Sequence, residues 1–116
     1  MKKLAVLTVL MLAALTLGGA DLTGTWSASV VLDAGNGVAT FVFKQTGEAL
    51  SGTYSGTFGQ AQVTGAVKGD QAEWSFDSGQ AGKVAYKGVI DSAGKIKGSV
   101  TYGQLGAGTF TAEKKT

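Results

Sequence analysis

The sequence contains no cysteine, proline, histidine or arginine. Without cysteine and histidine, thiolate sites, ordinary zinc sites and a serine–histidine catalytic pair are excluded. The carboxylates that remain fall at predicted strand ends, in turns or on outward-facing positions, where an acid–base pair is not expected. We therefore expect no enzyme activity, no cofactor and no metal ion.

The first 20 residues have the three parts of a signal peptide. Lys2 and Lys3 give a positive start, residues 4–17 are apolar apart from two threonines, and the small residues 18–20 precede a cleavage site. An apolar run of this length is too short to span a bilayer as a helix, which argues against a membrane anchor. We predict cleavage near Ala20, a secreted or periplasmic location, and one domain over residues 21–116.

The charge of that domain is balanced. The whole chain has a net charge of +2, but without Lys2 and Lys3 eight lysines stand against eight carboxylates. A nucleic-acid or anionic-membrane partner requires a basic stripe, and the domain shows none. We therefore expect no nucleic-acid partner.

Glycine is abundant, with 19 residues in the chain, and apolar residues alternate with polar ones. Alternation with period two indicates strands, and the intervening Gly, Asn and Asp residues are typical of hairpin turns. The turns include AGNG at residues 34–37 and GQ at residues 59–60. The alternation predicts strands at Thr23–Asp33, Val38–Gln45, Leu50–Phe58, Ala61–Lys68, Gln71–Asp77, Lys83–Ile90, Lys95–Tyr102 and Ala107–Lys114.

The connections between these strands are too short for parallel pairing, so the strands must form an antiparallel meander. All ten aromatic residues fall on the apolar face of their strands. The fold class is therefore predicted as all-β, an eight-stranded antiparallel up-and-down barrel. A two-sheet sandwich is the alternative, but a single inward face closes most simply on itself and removes exposed edges. Strands of about eight residues with the apolar face inward are not expected to span a membrane.

Glycines recur on the inward face between large residues, in the pattern apolar-x-Gly-x-apolar. A small barrel needs small inward residues beside large ones, and glycine also lets a strand bend as the sheet closes. We predict this structural role for Gly52, Gly56, Gly65, Gly88 and Gly98.

The stretch LTGTW at residues 22–26 resembles the Gly-x-Trp opening of lipocalins and avidins, the calycin barrels. The stretch GEALSGTY at residues 47–54 is similar to the third strand of avidins. The resemblance covers the first three strands. It implies an up-and-down barrel in which Gly24 and Trp26 are structural residues and Trp26 packs near one end.

The resemblance does not extend to the avidin ligand residues. Tyr54 matches the tyrosine that contacts biotin in that family. The strand-one Asn and Ser of avidins correspond to Ala28 and Leu32 here, and Gly56 replaces a ligand serine. A polar ligand head would be buried without partners at these positions, which is costly. We expect that biotin is not the ligand.

Two functions remain open, because an eight-stranded barrel can be filled by side chains or hold one small ligand. In the first, the protein is a non-enzymatic barrel that binds a small apolar ligand in its interior. The alternative is a solid-core barrel that acts as a protein-interaction or structural module, including inhibitor-like roles. The candidate ligand-binding residues are the inward aromatics Tyr54, Trp74, Phe76, Tyr86, Tyr102 and Phe110.

The signal-peptide prediction is tested by the intact mass of protein exported from a bacterial host. We expect the exported chain to begin at Asp21, because small residues precede that position. A product that retains Met1 would show that the segment has another role.

Overall fold

The computed structural model of the protein describes residues 21–33, 35–79, 82–103 and 106–115; the predicted signal peptide lies outside these residues. Eight strands form one closed barrel in which neighbouring strands are antiparallel. This confirms the predicted up-and-down barrel and excludes the sandwich. The strands are β1 (Gly24–Leu32), β2 (Gly35–Thr46), β3 (Ala49–Gly56), β4 (Gly59–Lys68), β5 (Gln71–Asp77), β6 (Lys83–Ile90), β7 (Ile96–Tyr102) and β8 (Ala107–Lys114).

The first and last strands close the barrel. They pair from Trp26 opposite Lys114 to Leu32 opposite Gly108, so neither strand leaves an exposed edge along this length. The odd-numbered strands begin at the end of the barrel that contains Trp26, which we call the Trp26 end. They finish at the opposite end, which contains Tyr102 and which we call the Tyr102 end.

Two turns differ from the prediction. Residues 35–37 were expected in a turn, but they extend β2 because they pair with residues 30–32 of β1. Cross-strand pairing overrides the weak strand preference of Gly-Asn-Gly there. Phe58 was expected in the third strand, but β3 ends at Gly56 and Phe58 lies in the turn before β4. The turn is therefore at residues 57–58 rather than 59–60.

The inward face of the strands forms the core, as the alternation predicts. Nine of the ten aromatic residues are buried, and Phe58 is partly buried against them. No charged residue of the described chain is buried. The core consists of Leu22, Trp26, Ala28, Val30, Ala39, Phe41, Phe43, Leu50, Tyr54, Val63, Val67, Ala72, Trp74, Phe76, Val84, Tyr86, Ile96, Val100, Tyr102, Phe110 and Ala112.

The strand register places inward glycines beside large residues of the next strand. Gly52 lies opposite Phe43, and Gly98 lies opposite Phe110. The predicted pairing of small with large residues is therefore present. It has a cause that the sequence pattern does not reveal.

That cause is contact with the backbone of the neighbouring strand. A Cβ atom on Gly52 would collide with the carbonyl oxygen of Val42, and one on Gly98 with the carbonyl oxygen of Lys87. Any side chain at these positions, even a methyl group, would push two strands apart. These glycines let the strands bend sharply enough to close the barrel.

The residues that precede β1 cover part of the core at the Trp26 end. Leu22 is buried there, and its carbonyl oxygen accepts a hydrogen bond of 2.8 Å from Nε1 of Trp26. The Leu22 amide donates to Oε1 of Gln45 at 2.8 Å. Gly24 has a φ of 135°, and a Cβ there would lie 2.7 Å from Cε of Lys114. In the Gly-x-Trp stretch, Gly24 therefore supplies a backbone conformation that only glycine adopts readily, and the indole of Trp26 holds Leu22 in place.

We predict that Gly52→Ala and Gly98→Ala each lower the free energy of unfolding by about 1–3 kcal/mol, through overpacking against the neighbouring backbone. Urea denaturation of the purified protein measures the change.

The matched control is Gly37→Ala. This glycine also lies in a strand, but its Cβ would meet only Oγ1 of Thr57, at 3.9 Å. Its free energy of unfolding should change by no more than about 0.5 kcal/mol. Similar losses at Gly37 and Gly52 would show that backbone contact is not the constraint.

Candidate functional site

Four of the six candidate residues pack together in the middle of the barrel. Trp74 stacks on Tyr86 with ring centroids 5.3 Å apart, and Phe110 meets Tyr86 edge-on at 4.9 Å. Phe76 lies 6.5 Å from Tyr86. Phe41, which sequence analysis did not include among the candidates, lies at the centre, 5.1 Å from Tyr86. These rings fill the middle of the barrel, which we call the trunk.

The indole of Trp74 has an unusual position in this trunk. Its Nε1 is buried and has no hydrogen-bond partner among the described residues. Buried indole N–H groups usually have a partner. The ring meets Phe43 and Phe110 edge-to-face, at 5.0 and 5.6 Å. Trp74 is therefore held by aromatic packing rather than by a polar contact.

An apolar cleft of about 210 Å³ opens at the Tyr102 end. Of the six candidates, only Tyr54 and Tyr102 line it. No charged side chain contributes to the lining that the structure describes. The lining residues are Val30, Leu32, Gly35, Asn36, Gly37, Val38, Ala39, Tyr54, Thr57, Phe58 and Tyr102.

Tyr54 is fixed at one side of the cleft by stacking and by one hydrogen bond. Its ring stacks on Phe76 with centroids 4.0 Å apart. Its hydroxyl accepts a hydrogen bond of 3.3 Å from the backbone N–H of Phe58. Gly56 leaves the room for this hydroxyl, because a Cβ there would lie 2.6 Å from it. Gly56 therefore acts on the position of Tyr54 rather than on the bending of a strand.

Tyr102 is joined to the trunk by a hydrogen bond between two hydroxyls. The oxygen atoms of Tyr86 and Tyr102 are 2.7 Å apart, and either could donate. If Tyr102 donated, the hydroxyl proton of Tyr86 would face the packed trunk without an acceptor, which costs about 1–3 kcal/mol. If Tyr86 donates, the Tyr102 proton can point into the cleft. The second arrangement leaves no buried donor unpaired.

The directions in which the pKa values of the two tyrosines shift agree with donation by Tyr86. Burial raises the pKa of Tyr86 far above its ordinary value, and its hydrogen bond to Tyr102 raises that pKa further. Burial also raises the pKa of Tyr102, while the hydrogen bond from Tyr86 lowers it. Both hydroxyls are therefore neutral at physiological pH and serve as hydrogen-bonding groups.

The two ion pairs of the described residues lie outside the cleft lining. Lys95 pairs with Glu113 at 3.7 Å and Lys97 with Asp91 at 4.0 Å, both on the surface. The described residues contain no cluster of three metal-ligating side chains. None of them belongs to a helix of the length and apolarity that crossing a membrane requires.

Most of the cleft lining was not predicted from the sequence. Tyr54 and Tyr102 were candidate site residues, but Val30, Leu32, Val38 and Thr57 were not among the candidates. The available signal was position along the strand, because residues at the same end of neighbouring antiparallel strands meet at one end of a barrel. The turn position of Phe58, which brings its ring to Tyr102 at 5.3 Å, could not be derived from the alternation.

No protein-family model and no curated protein matches this chain. Solved structures of redesigned β-barrels do match. The barrel b11L5F_LGL is 18% identical with a TM-score of 0.63, over 82% of this chain and 91% of that one. Two others, mFAP1 and mFAP0, were solved bound to DFHBI. The barrel mFAP1 is 18% identical with a TM-score of 0.55, over 81% of this chain and 94% of that one. The barrel mFAP0 is 20% identical with a TM-score of 0.58, over 81% of this chain and 98% of that one. At these identities the likeness shows a shared small-barrel fold.

The hydroxyl pair predicts unequal costs for removing its two members. Tyr102→Phe should lower the free energy of unfolding by about 1–3 kcal/mol, because the buried Tyr86 donor loses its acceptor. Tyr86→Phe should cost about 0.5–1.5 kcal/mol, the value of one neutral hydrogen bond. Urea denaturation of both variants provides the comparison.

The double variant Tyr86→Phe/Tyr102→Phe is the control. It removes donor and acceptor together and should be more stable than Tyr102→Phe alone. A larger loss in Tyr86→Phe than in Tyr102→Phe would reverse the assigned direction of donation.

Proposed function

We propose that the protein is a non-enzymatic binding barrel that takes a small apolar ligand in the cleft at the Tyr102 end. The observation that carries this proposal is the cleft itself. It is apolar, uncharged over its described lining, and bordered by Tyr54 and Tyr102, two of the candidate residues. Ligand sites in proteins are typically apolar concavities with a few placed polar groups.

The filled trunk sets the depth of the site. The rings of Trp74, Tyr86 and Phe110 leave their stack only if the core rearranges. In this proposal the ligand therefore rests on Tyr54 and Tyr102. The other four candidates lie deeper in the barrel and pack behind these two tyrosines; they are Trp74, Phe76, Tyr86 and Phe110.

The redesigned barrels mFAP0 and mFAP1 support the proposal by analogy. Their structures were solved bound to DFHBI, so barrels of this size and topology can hold a small molecule. From the signal peptide predicted for residues 1–20, we also propose that the protein is secreted or periplasmic and binds its ligand there.

The two tryptophans provide the test. Trp74 stacks on Tyr86, which is hydrogen-bonded to Tyr102 at the cleft, whereas Trp26 lies at the opposite end. A cleft ligand should therefore change the emission of Trp74 and leave that of Trp26 unchanged. The variants Trp26→Phe and Trp74→Phe report the two signals separately, in titrations with DFHBI, fatty acids, retinoids and small aromatic compounds.

The amide resonances localise the binding. The amide signals of Gly37 and Phe58, which line the cleft, should shift. The amide signal of Gly88, which lies in β6 toward the Trp26 end, should not. If no compound changes emission or shifts these amides up to about 1 mM, where binding amounts to only about 4 kcal/mol, the proposal fails.

The interaction module is the second candidate, and one surface favours it. The outward residues of β1–β3 are mainly serine, threonine and valine, with Lys44 as the one charged side chain among them. Val31, Val38 and Val42 are 53%, 62% and 47% exposed there. An uncharged face with exposed valines can contact another protein. Substitution of Val31 and Val42 by lysine, both outside the cleft lining, would abolish such binding and leave ligand titrations unchanged.

A further inference from the structure

We infer that the cleft at the Tyr102 end selects a neutral, single-ring aryl carbonyl compound. This inference rests on the proposed function and specifies its ligand. It follows from the hydrogen-bond inventory of Tyr54 and Tyr102, the charge of the cleft lining and the cleft volume.

The two tyrosines offer donors that the described residues do not use. A hydroxyl has one donor proton and two acceptor sites. The Tyr54 oxygen accepts from the amide of Phe58, and the Tyr102 oxygen accepts from Tyr86. Neither proton has an acceptor among the residues that the structure describes. Tyr54 and Tyr102 both line the cleft, so we expect their free protons to match a ligand oxygen that accepts hydrogen bonds.

The charge of the cleft distinguishes among ligands with acceptor oxygens. A carboxylate would need a cation or several donors to offset its desolvation. The described lining holds no lysine, and its polar side chains are Asn36, Thr57 and the two tyrosines. A ketone, aldehyde or amide oxygen needs no counter-charge. The uncharged lining therefore favours a neutral carbonyl over an acid.

Size and shape restrict the rest of the ligand. An engineered cavity of about 150 Å³ holds benzene, and pockets for drug-sized molecules begin at about 300 Å³. The cleft, at about 210 Å³, fits one ring with a short substituent. Phe58 and Tyr102 are 5.3 Å apart and tilted by 46°, which presents aromatic surface to a flat ring. Long acyl chains and fused-ring compounds would extend out of this space into solvent.

Three probes of nearly equal size test the inference. Acetophenone carries the carbonyl, α-methylstyrene replaces its oxygen by a methylene group, and benzoate replaces its acyl group by a carboxylate. Amide shifts of Gly37 and Phe58 in the purified protein give each dissociation constant. We expect acetophenone to bind about fivefold or more tightly than α-methylstyrene, the gain from neutral hydrogen bonds. Benzoate should bind more weakly than acetophenone.

The variants assign the preference to the two hydroxyls. Tyr54→Phe and Tyr102→Phe should each weaken acetophenone binding by about two- to tenfold and leave α-methylstyrene binding within about twofold. Ser55→Ala is the control, because it removes an exposed hydroxyl beside Tyr54 on β3 that lies outside the cleft lining, and it keeps both tyrosine donors. It should leave the ratio of the two dissociation constants within about twofold.

The outcomes separate this inference from the proposed function. Equal binding of acetophenone and α-methylstyrene, with shifts at the cleft, would overturn the carbonyl preference and leave the cleft as a binding site. Tightest binding by benzoate would also overturn it, in favour of an anion site. Absence of any shift at the cleft up to about 1 mM, for these probes and for the wider panel, would overturn both.

Discussion

The close approach of backbone to backbone at the inward glycines is the constraint on which the barrel depends. At Gly52, Gly98 and Gly108 the carbonyl group of the next strand occupies the space that a Cβ would need. Strands must coil strongly to close eight of them around a core of side chains, and glycine allows that bend where the strands press together. The aromatic rings then fill the interior that this curvature defines, so the packing of Trp74 and Phe110 follows from the backbone contact.

The filled trunk and the cleft are two results of the same inward face. Towards the middle, large rings from opposite walls meet and exclude other molecules. At the Tyr102 end, Gly35 and Gly37 line the wall instead of larger side chains, and space remains. The hydroxyl pair of Tyr86 and Tyr102 crosses the boundary between these two regions. It connects the packed interior to the cleft, and neither of the two hydroxyls leaves its proton buried and unpaired.

The fold was largely predictable from sequence because one property, the alternation of apolar and polar residues, determines strand faces throughout. It placed every aromatic residue that is buried on the correct face. The boundaries of β2 and β3 were harder, since Gly-Asn-Gly at residues 35–37 has turn chemistry and enters a strand only through pairing with β1.

The site was less predictable, because face assignment says which residues are inward but not how deep they lie. Tyr54 and Tyr86 were equivalent in the sequence, yet only Tyr54 reaches the cleft. The hydrogen bond of the Tyr54 hydroxyl to the Phe58 amide depends on a two-residue turn and on the room left by Gly56. Such contacts are set by atomic distances that no residue pattern encodes.

The even number of strands brings both ends of the folded domain to one pole. Asp21 and Leu22 precede β1 at the Trp26 end, and β8 finishes there, with the Lys115 amide bonded to the carbonyl oxygen of Thr25. A protein tethered at the residues before Asp21 would therefore point its cleft away from the tether. A solid support or fusion partner attached beside Asp21 or Lys115 would likewise lie at the Trp26 end, with the cleft at the opposite end left accessible.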